Sequence, residues 1–61
     1  MPIVQIDLLE GRTLEQKRAM VAKVTAAITE SANCPPDAVT IIIRDMPTTN
    51  LGKGGKLRSD M

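Results

Sequence analysis

The sequence predicts an α/β chain, a single βαβ unit with parallel strands, in one domain spanning residues 1–61. Three observations carry this prediction. Residues 2–9 alternate apolar and polar, residues 14–32 repeat apolar positions at three- and four-residue steps, and residues 39–44 form a β-branched run. Alternation with period two marks a half-buried strand, and steps of three and four mark one face of a helix.

The first strand is Pro2-Ile3-Val4-Gln5-Ile6-Asp7-Leu8-Leu9. Val4, Ile6 and Leu8 share one face with Pro2, and Gln5 and Asp7 take the other. Proline donates no hydrogen bond to a ladder but is accommodated as the first residue of a strand. Glu10-Gly11-Arg12 reads as a turn. Thr13 is the expected helix N-cap, with Gln16 three residues later completing a capping box. Glu15 places negative charge at the positive end of the helix dipole. From Leu14 to about Ala32 the helical stripe is Leu14, Lys17, Val21, Val24 and Ile28, widened by Met20 and Ala27. Asn33 is the expected C-terminal cap, and Pro35-Pro36 cannot continue the helix.

The second strand is read over Val39–Arg44 and ends at Pro47. Its run of branched residues predicts burial on both faces, with Val39, Ile41 and Ile43 on one side and Thr40, Ile42 and Arg44 on the other. A strand–helix–parallel strand connection is expected to be right-handed. Residues 48–61 are rich in Gly, Lys and Thr and read as a loop or short hairpin ordered by neighbouring subunits. Gly52-Lys53-Gly54-Gly55-Lys56 lacks the spacing of a phosphate-binding loop and leads into no helix, so it reads as a turn.

Composition points to association. A chain of 61 residues buries only about 60% of its unfolded surface. It has no aromatic residue and a single cysteine, Cys34, so no disulfide can staple it. Two strands form a marginal sheet by themselves. Subunits are therefore expected to assemble into larger sheets.

The net charge of +1 leaves no basic footprint for nucleic acid, and no aromatic side chain offers a base a stacking platform. No apolar run reaches the roughly 18 residues of a membrane span. The N-terminus lacks the features of a signal peptide, and one unpaired cysteine fits a reducing compartment. A cytoplasmic location is expected. Cys34 has no metal-ligand companions in the sequence, so no metal site is expected.

The residue with the most distinctive chemistry is Pro2. Methionine is ordinarily trimmed before a small second residue. A free N-terminal proline is a secondary amine and acts as a base without help from a side chain. That matters in a chain with no His and no Tyr. A base at neutral pH works best with a pKa near 7. A cationic neighbour and an apolar wall would each disfavour a protonated amine and bring it toward that range.

Pro2, the run Leu9-Glu10-Gly11-Arg12, and Glu15-Gln16-Lys17 occur together in register with Ile41-Ile42-Ile43, Met46, and Gly52 to Gly55 with Lys56. In this the chain resembles the 4-oxalocrotonate tautomerase family over nearly its whole length. The resemblance implies a homohexamer arranged as three dimers. It implies that Pro2 is the catalytic base, and that Arg12 binds a small-molecule carboxylate substrate and stabilises developing charge. It places Leu9 and Leu51 in the substrate pocket, and it implies no cofactor and no metal. The implied activity interconverts the enol and keto forms of a 2-hydroxy-dienoate or 2-oxo acid, as in the degradation of aromatic compounds.

The chain departs from the family pattern twice. Thr40 stands where a second arginine, donated by a neighbouring subunit, is expected, and Leu51 stands where a pocket aromatic is expected. Arg44 lies four residues along the strand from Thr40, roughly 13 Å at strand rise, and reads first as an ion-pair residue. These departures predict weaker activity on a diacid, or a monoacid substrate. Three alternatives accompany the tautomerase reading: a related proline-dependent hydratase or dehalogenase-like activity, one half of a heteromer whose partner supplies the arginine missing at Thr40, and a non-catalytic oligomeric module.

Overall fold

A computed structural model describes residues 1–61. β1 spans Ile3–Leu9, α1 spans Leu14–Ala32 and β2 spans Thr40–Met46. β1 and β2 pair in parallel, with Ile3 opposite Thr40 and Leu9 opposite Met46. Beyond β2 a short turn of 3-10 helix over Thr48–Asn50 leads into a small antiparallel hairpin, β3 (Gly52–Lys53) and β4 (Lys56–Leu57). This is the βαβ unit expected from the sequence.

The helix forms where its local chemistry dictates. The Thr13 hydroxyl accepts the Gln16 N–H at 3.1 Å, and the Gln16 side chain accepts the Thr13 N–H at 2.8 Å, so the capping box is complete. Two N–H groups that an α-helix start leaves without partners are thereby satisfied. At the other end Asn33 takes the left-handed conformation at φ 56°, a standard way to terminate a helix.

The register fixes which residues share a face. Val4, Ile6 and Leu8 lie beside Ile41, Ile43 and Asp45 on one face. α1 covers that face, and Lys17 near its start forms an ion pair with Asp45 near the end of β2. The helix residues that lose surface are Lys17, Met20, Val24 and Ile28, joined by Thr25 and Thr29. Leu14, Val21 and Ala27, expected in the stripe, remain exposed. Adjacent strands are only about 4.8 Å apart whereas a helix with side chains is about 10–12 Å across. The helix therefore overhangs the two strands that one chain supplies.

Two further expectations change. β2 starts at Thr40 rather than Val39, because Val39 closes a 3-10 turn over Pro36–Ala38. It continues through Asp45 and Met46, where Lys17 holds Asp45 and the Met46 carbonyl accepts the Glu10 N–H at 2.8 Å. Burial on both faces is not achieved within one chain. The second face, carrying Ile3, Gln5 and Asp7 beside Thr40, Ile42 and Arg44, has no covering layer, and Ile3 and Ile42 remain 58% and 36% exposed.

No residue of the chain is fully buried, and its accessible surface is 4645 Å². A folded monomer of this length exposes about 3,900 Å² by the usual size scaling. The excess is close to the roughly 800 Å² that one partner contributes to a standard interface. The shape agrees: the radius of gyration is 14.6 Å, against about 10.5 Å for a compact chain of this length.

Candidate functional site

Pro2, read from the sequence as the first strand residue, immediately precedes β1, and its carbonyl accepts the Thr40 N–H at 3.0 Å. This bond holds the proline against the first residue of β2 and keeps it half-buried. With Met1 attached, the Pro2 nitrogen is a tertiary amide without basicity. Removal of Met1 makes it a secondary amine at the same place in the sheet.

Leu9 and Arg12 lie at the other end of β1. Six residue steps separate Ile3 from Leu9, roughly 20 Å at strand rise. Arg12 stays at that far end because the Glu10 N–H is bonded to Met46 and Thr13 starts the helix. The Lys17–Asp45 ion pair fixes the helix start there independently. Gly11 between them has φ 119°, a backbone region that favours glycine, although a Cβ would meet no atom within 4 Å. The glycine is needed for the path of the chain and not for space. Arg12 is exposed and has no acidic partner.

Leu51 follows β2 after the Thr48–Asn50 turn. Its carbonyl accepts the Arg58 N–H at 2.7 Å. Leu51, Lys53, Arg58 and Met61 line a small cleft. No sequence motif marks Arg58; only the folding of the hairpin brings it back to Leu51. Gly54 and Gly55 reverse the chain with φ 62° and 85°, the pair of positive values that a two-residue type I′ turn requires. The Gly-Lys segment is thus the tip of a hairpin.

Arg44 is committed to the uncovered sheet face. Its Nη1 donates to the Gln5 side chain at 3.1 Å and lies 3.8 Å from an Asp7 oxygen. It therefore stands as the ion-pair residue expected from the sequence. Cys34 is a half-buried free thiol. The largest concavity is an open groove on the flank of α1 between Leu14 and Thr25. It contains neither Pro2 nor Arg12, and it is the helix overhang described above.

One chain thus carries two separated half-sites. Pro2 and Thr40 form the half that could move a proton. Leu9 and Arg12 lie at the end that could hold an anion, and Leu51 lines a cleft with Lys53, Arg58 and Met61. The structure does not bring these halves together within one chain.

No helix is long and apolar enough to cross a membrane. Residues 2–61 match the family described as tautomerase enzyme. A probable tautomerase of Streptococcus pneumoniae serotype 4 is 48% identical over 59 residues, covering 97% of this chain and 98% of that protein. The 2-hydroxymuconate tautomerase of Stutzerimonas stutzeri is 45% identical over 56 residues, covering 92% and 89% respectively. Among solved structures, YwhB, a homologue of 4-oxalocrotonate tautomerase, superposes with a TM-score of 0.94 at 40% identity, covering 98% of each chain.

Proposed function

The chain belongs to the tautomerase enzyme family, and from that premise we propose that it interconverts the enol and keto forms of a 2-hydroxy-dienoate or 2-oxo acid, with Pro2 as the acid–base group. In the enol-to-keto direction the Pro2 nitrogen takes the enol hydroxyl proton. Electrons move along the conjugated chain, and the proline returns a proton to carbon. Atoms and charge balance without an added cofactor. Arg12 holds a carboxylate through its planar fork and offsets charge that grows on the dienolate. Leu9 and Leu51 supply an apolar wall that strengthens these electrostatic interactions by keeping water away.

The observation that carries this reading is the placement of Pro2 and Arg12 at opposite ends of β1. A second copy related by a two-fold axis and running antiparallel would bring the Pro2 end of one chain to the Arg12 end of the other. Each such pair creates two equivalent sites, since a two-fold interface uses the same surface on both subunits. The uncovered sheet face and the excess surface support an oligomer, and we assign it as a hexamer of three such dimers. Arg12 holds one carboxylate, and Thr40 adds no second cation at the proline end.

The test follows ketonisation of 2-hydroxymuconate and of phenylenolpyruvate by ultraviolet absorbance, using the methionine-free protein beside its Pro2→Ala variant. Proton transfer by a positioned group contributes about 10²–10⁴-fold. A fall of that size in the variant supports the reading. Equal rates in both proteins would overturn it.

A further inference from the structure

We propose that Arg58 is a specificity-determining residue of this same site, binding the second anionic group of a dicarboxylate substrate. The inference rests on the reading above in one respect, that Leu51 forms part of the pocket wall. Its other supports are independent of that reading.

The first is position. The Arg58 backbone is tied to Leu51 by the 2.7 Å bond from its N–H to the Leu51 carbonyl. Both residues line one cleft with Lys53 and Met61, with a volume of about 50 Å³. A water molecule's share of liquid volume is about 30 Å³, so this cleft accepts one end group and not a whole substrate. That suits the far end of an extended molecule whose reacting end lies elsewhere.

The second is charge. The chain's ion pairs are Lys17–Asp45 and Arg44–Asp7, so Arg58 has no acidic partner although Asp60 closes the same 3-10 turn, Arg58–Asp60. Lys53 stands directly opposite Lys56 across the hairpin. Like charges in facing positions destabilise a hairpin, and an anion placed beside them would relieve that repulsion. Leu51 and Met61 supply the apolar side chains of the cleft, both of them solvent-exposed in the single chain.

The third is chemical type. Arginine presents a rigid fork that pairs with a carboxylate through two parallel hydrogen bonds, whereas lysine is a point charge. Arg44, the other arginine near a strand, is occupied by Gln5 and Asp7. Arg58 is therefore, like Arg12, a guanidinium without an acidic partner, and it is the one that lines the cleft with Leu51. It would supply from the hairpin the second cation that Thr40 does not supply from β2.

The experiment compares kcat and KM for dianionic 2-hydroxymuconate and monoanionic phenylenolpyruvate in the methionine-free oligomer, using wild type, Arg58→Gln and Arg58→Lys. Loss of a hydrogen bond to a charged group predicts a fall of about 10- to 100-fold in kcat/KM for the dianion with Arg58→Gln, chiefly through KM. The monoanion should change by less than about threefold, and Arg58→Lys should recover part of the loss, since it restores charge without the fork. An equal fall on both substrates would show a structural role and overturn the assignment, as would an unchanged ratio between them. Activity that survives Pro2→Ala would overturn the underlying reading instead. Activity lost in Pro2→Ala with an unchanged ratio in Arg58→Gln would overturn the role of Arg58 alone.

Discussion

Placing a carboxylate on the uncovered sheet face should take the assembly apart. Ile42 lies on that face of β2 and is 36% exposed in the single chain. Completing its burial gains on the order of 1 kcal/mol, since a fully buried isoleucine is worth about 1.5–3 kcal/mol. Ile42→Asp removes that gain and sets an unpaired charge in the interface, at an effective cost of several kcal/mol per ion. The nearest cation on this face, Arg44, is already engaged by Gln5 and Asp7, so the new carboxylate shares it rather than gaining a partner of its own. A two-fold contact doubles the effect, so the loss reaches about 6 kcal/mol or more, roughly 10⁴-fold in the dissociation constant. Sedimentation velocity from nanomolar to high micromolar concentration reads this directly. The variant should remain dissociated where the wild type is assembled, and its thermal transition should fall and lose the concentration dependence of the assembled wild type. Assembly of Ile42→Asp with the wild-type concentration dependence would refute the claim that this face is covered by other subunits.

Two further outcomes are expected. Arg12→Ala should lower kcat/KM by about 10- to 150-fold, the size of one charge-assisted hydrogen bond of about 1.5–3 kcal/mol, with Arg12→Lys only partly effective; steady-state kinetics check this. Thr13→Ala should cost about 1 kcal/mol through loss of the capping box, lowering the thermal midpoint by several degrees, about 4–8 °C for a small domain, as followed by circular dichroism at fixed concentration.

The features legible in the sequence are those set by nearby residues. Thr13 and Gln16 mark the start of α1, Asn33 and the two prolines mark its end, and the helix indeed runs Leu14–Ala32. The alternation of Val4, Ile6 and Leu8 against Gln5 and Asp7 gives the inward face of β1, because side chains alternate strictly along a strand. The less legible features depend on what lies beyond the chain. The helical pattern treats Leu14 and Val21 as equivalent to Val24, yet two strands are too narrow to cover the whole stripe. The β-branched run of β2 is read as doubly buried, whereas one chain supplies a layer for only one face. Arg58 gives no signal because its place beside Leu51 depends on the Gly54-Gly55 reversal. Pro2 and Arg12 are each marked by motif, but their separation becomes clear only when β1 is laid out at full length between them.

If each site is shared between chains, subunit complementation restores activity. Pro2→Ala and Arg12→Ala proteins, each impaired alone, are unfolded together at equal concentration, refolded, and assayed for ketonisation. Random pairing across a two-fold axis makes about half the pairs mixed, and each mixed pair holds one site with both Pro2 and Arg12 intact. Recovery of about one quarter of wild-type activity is expected. A mixture no more active than the average of the two variants would contradict shared sites and would place Pro2 and Arg12 in separate or single-chain roles.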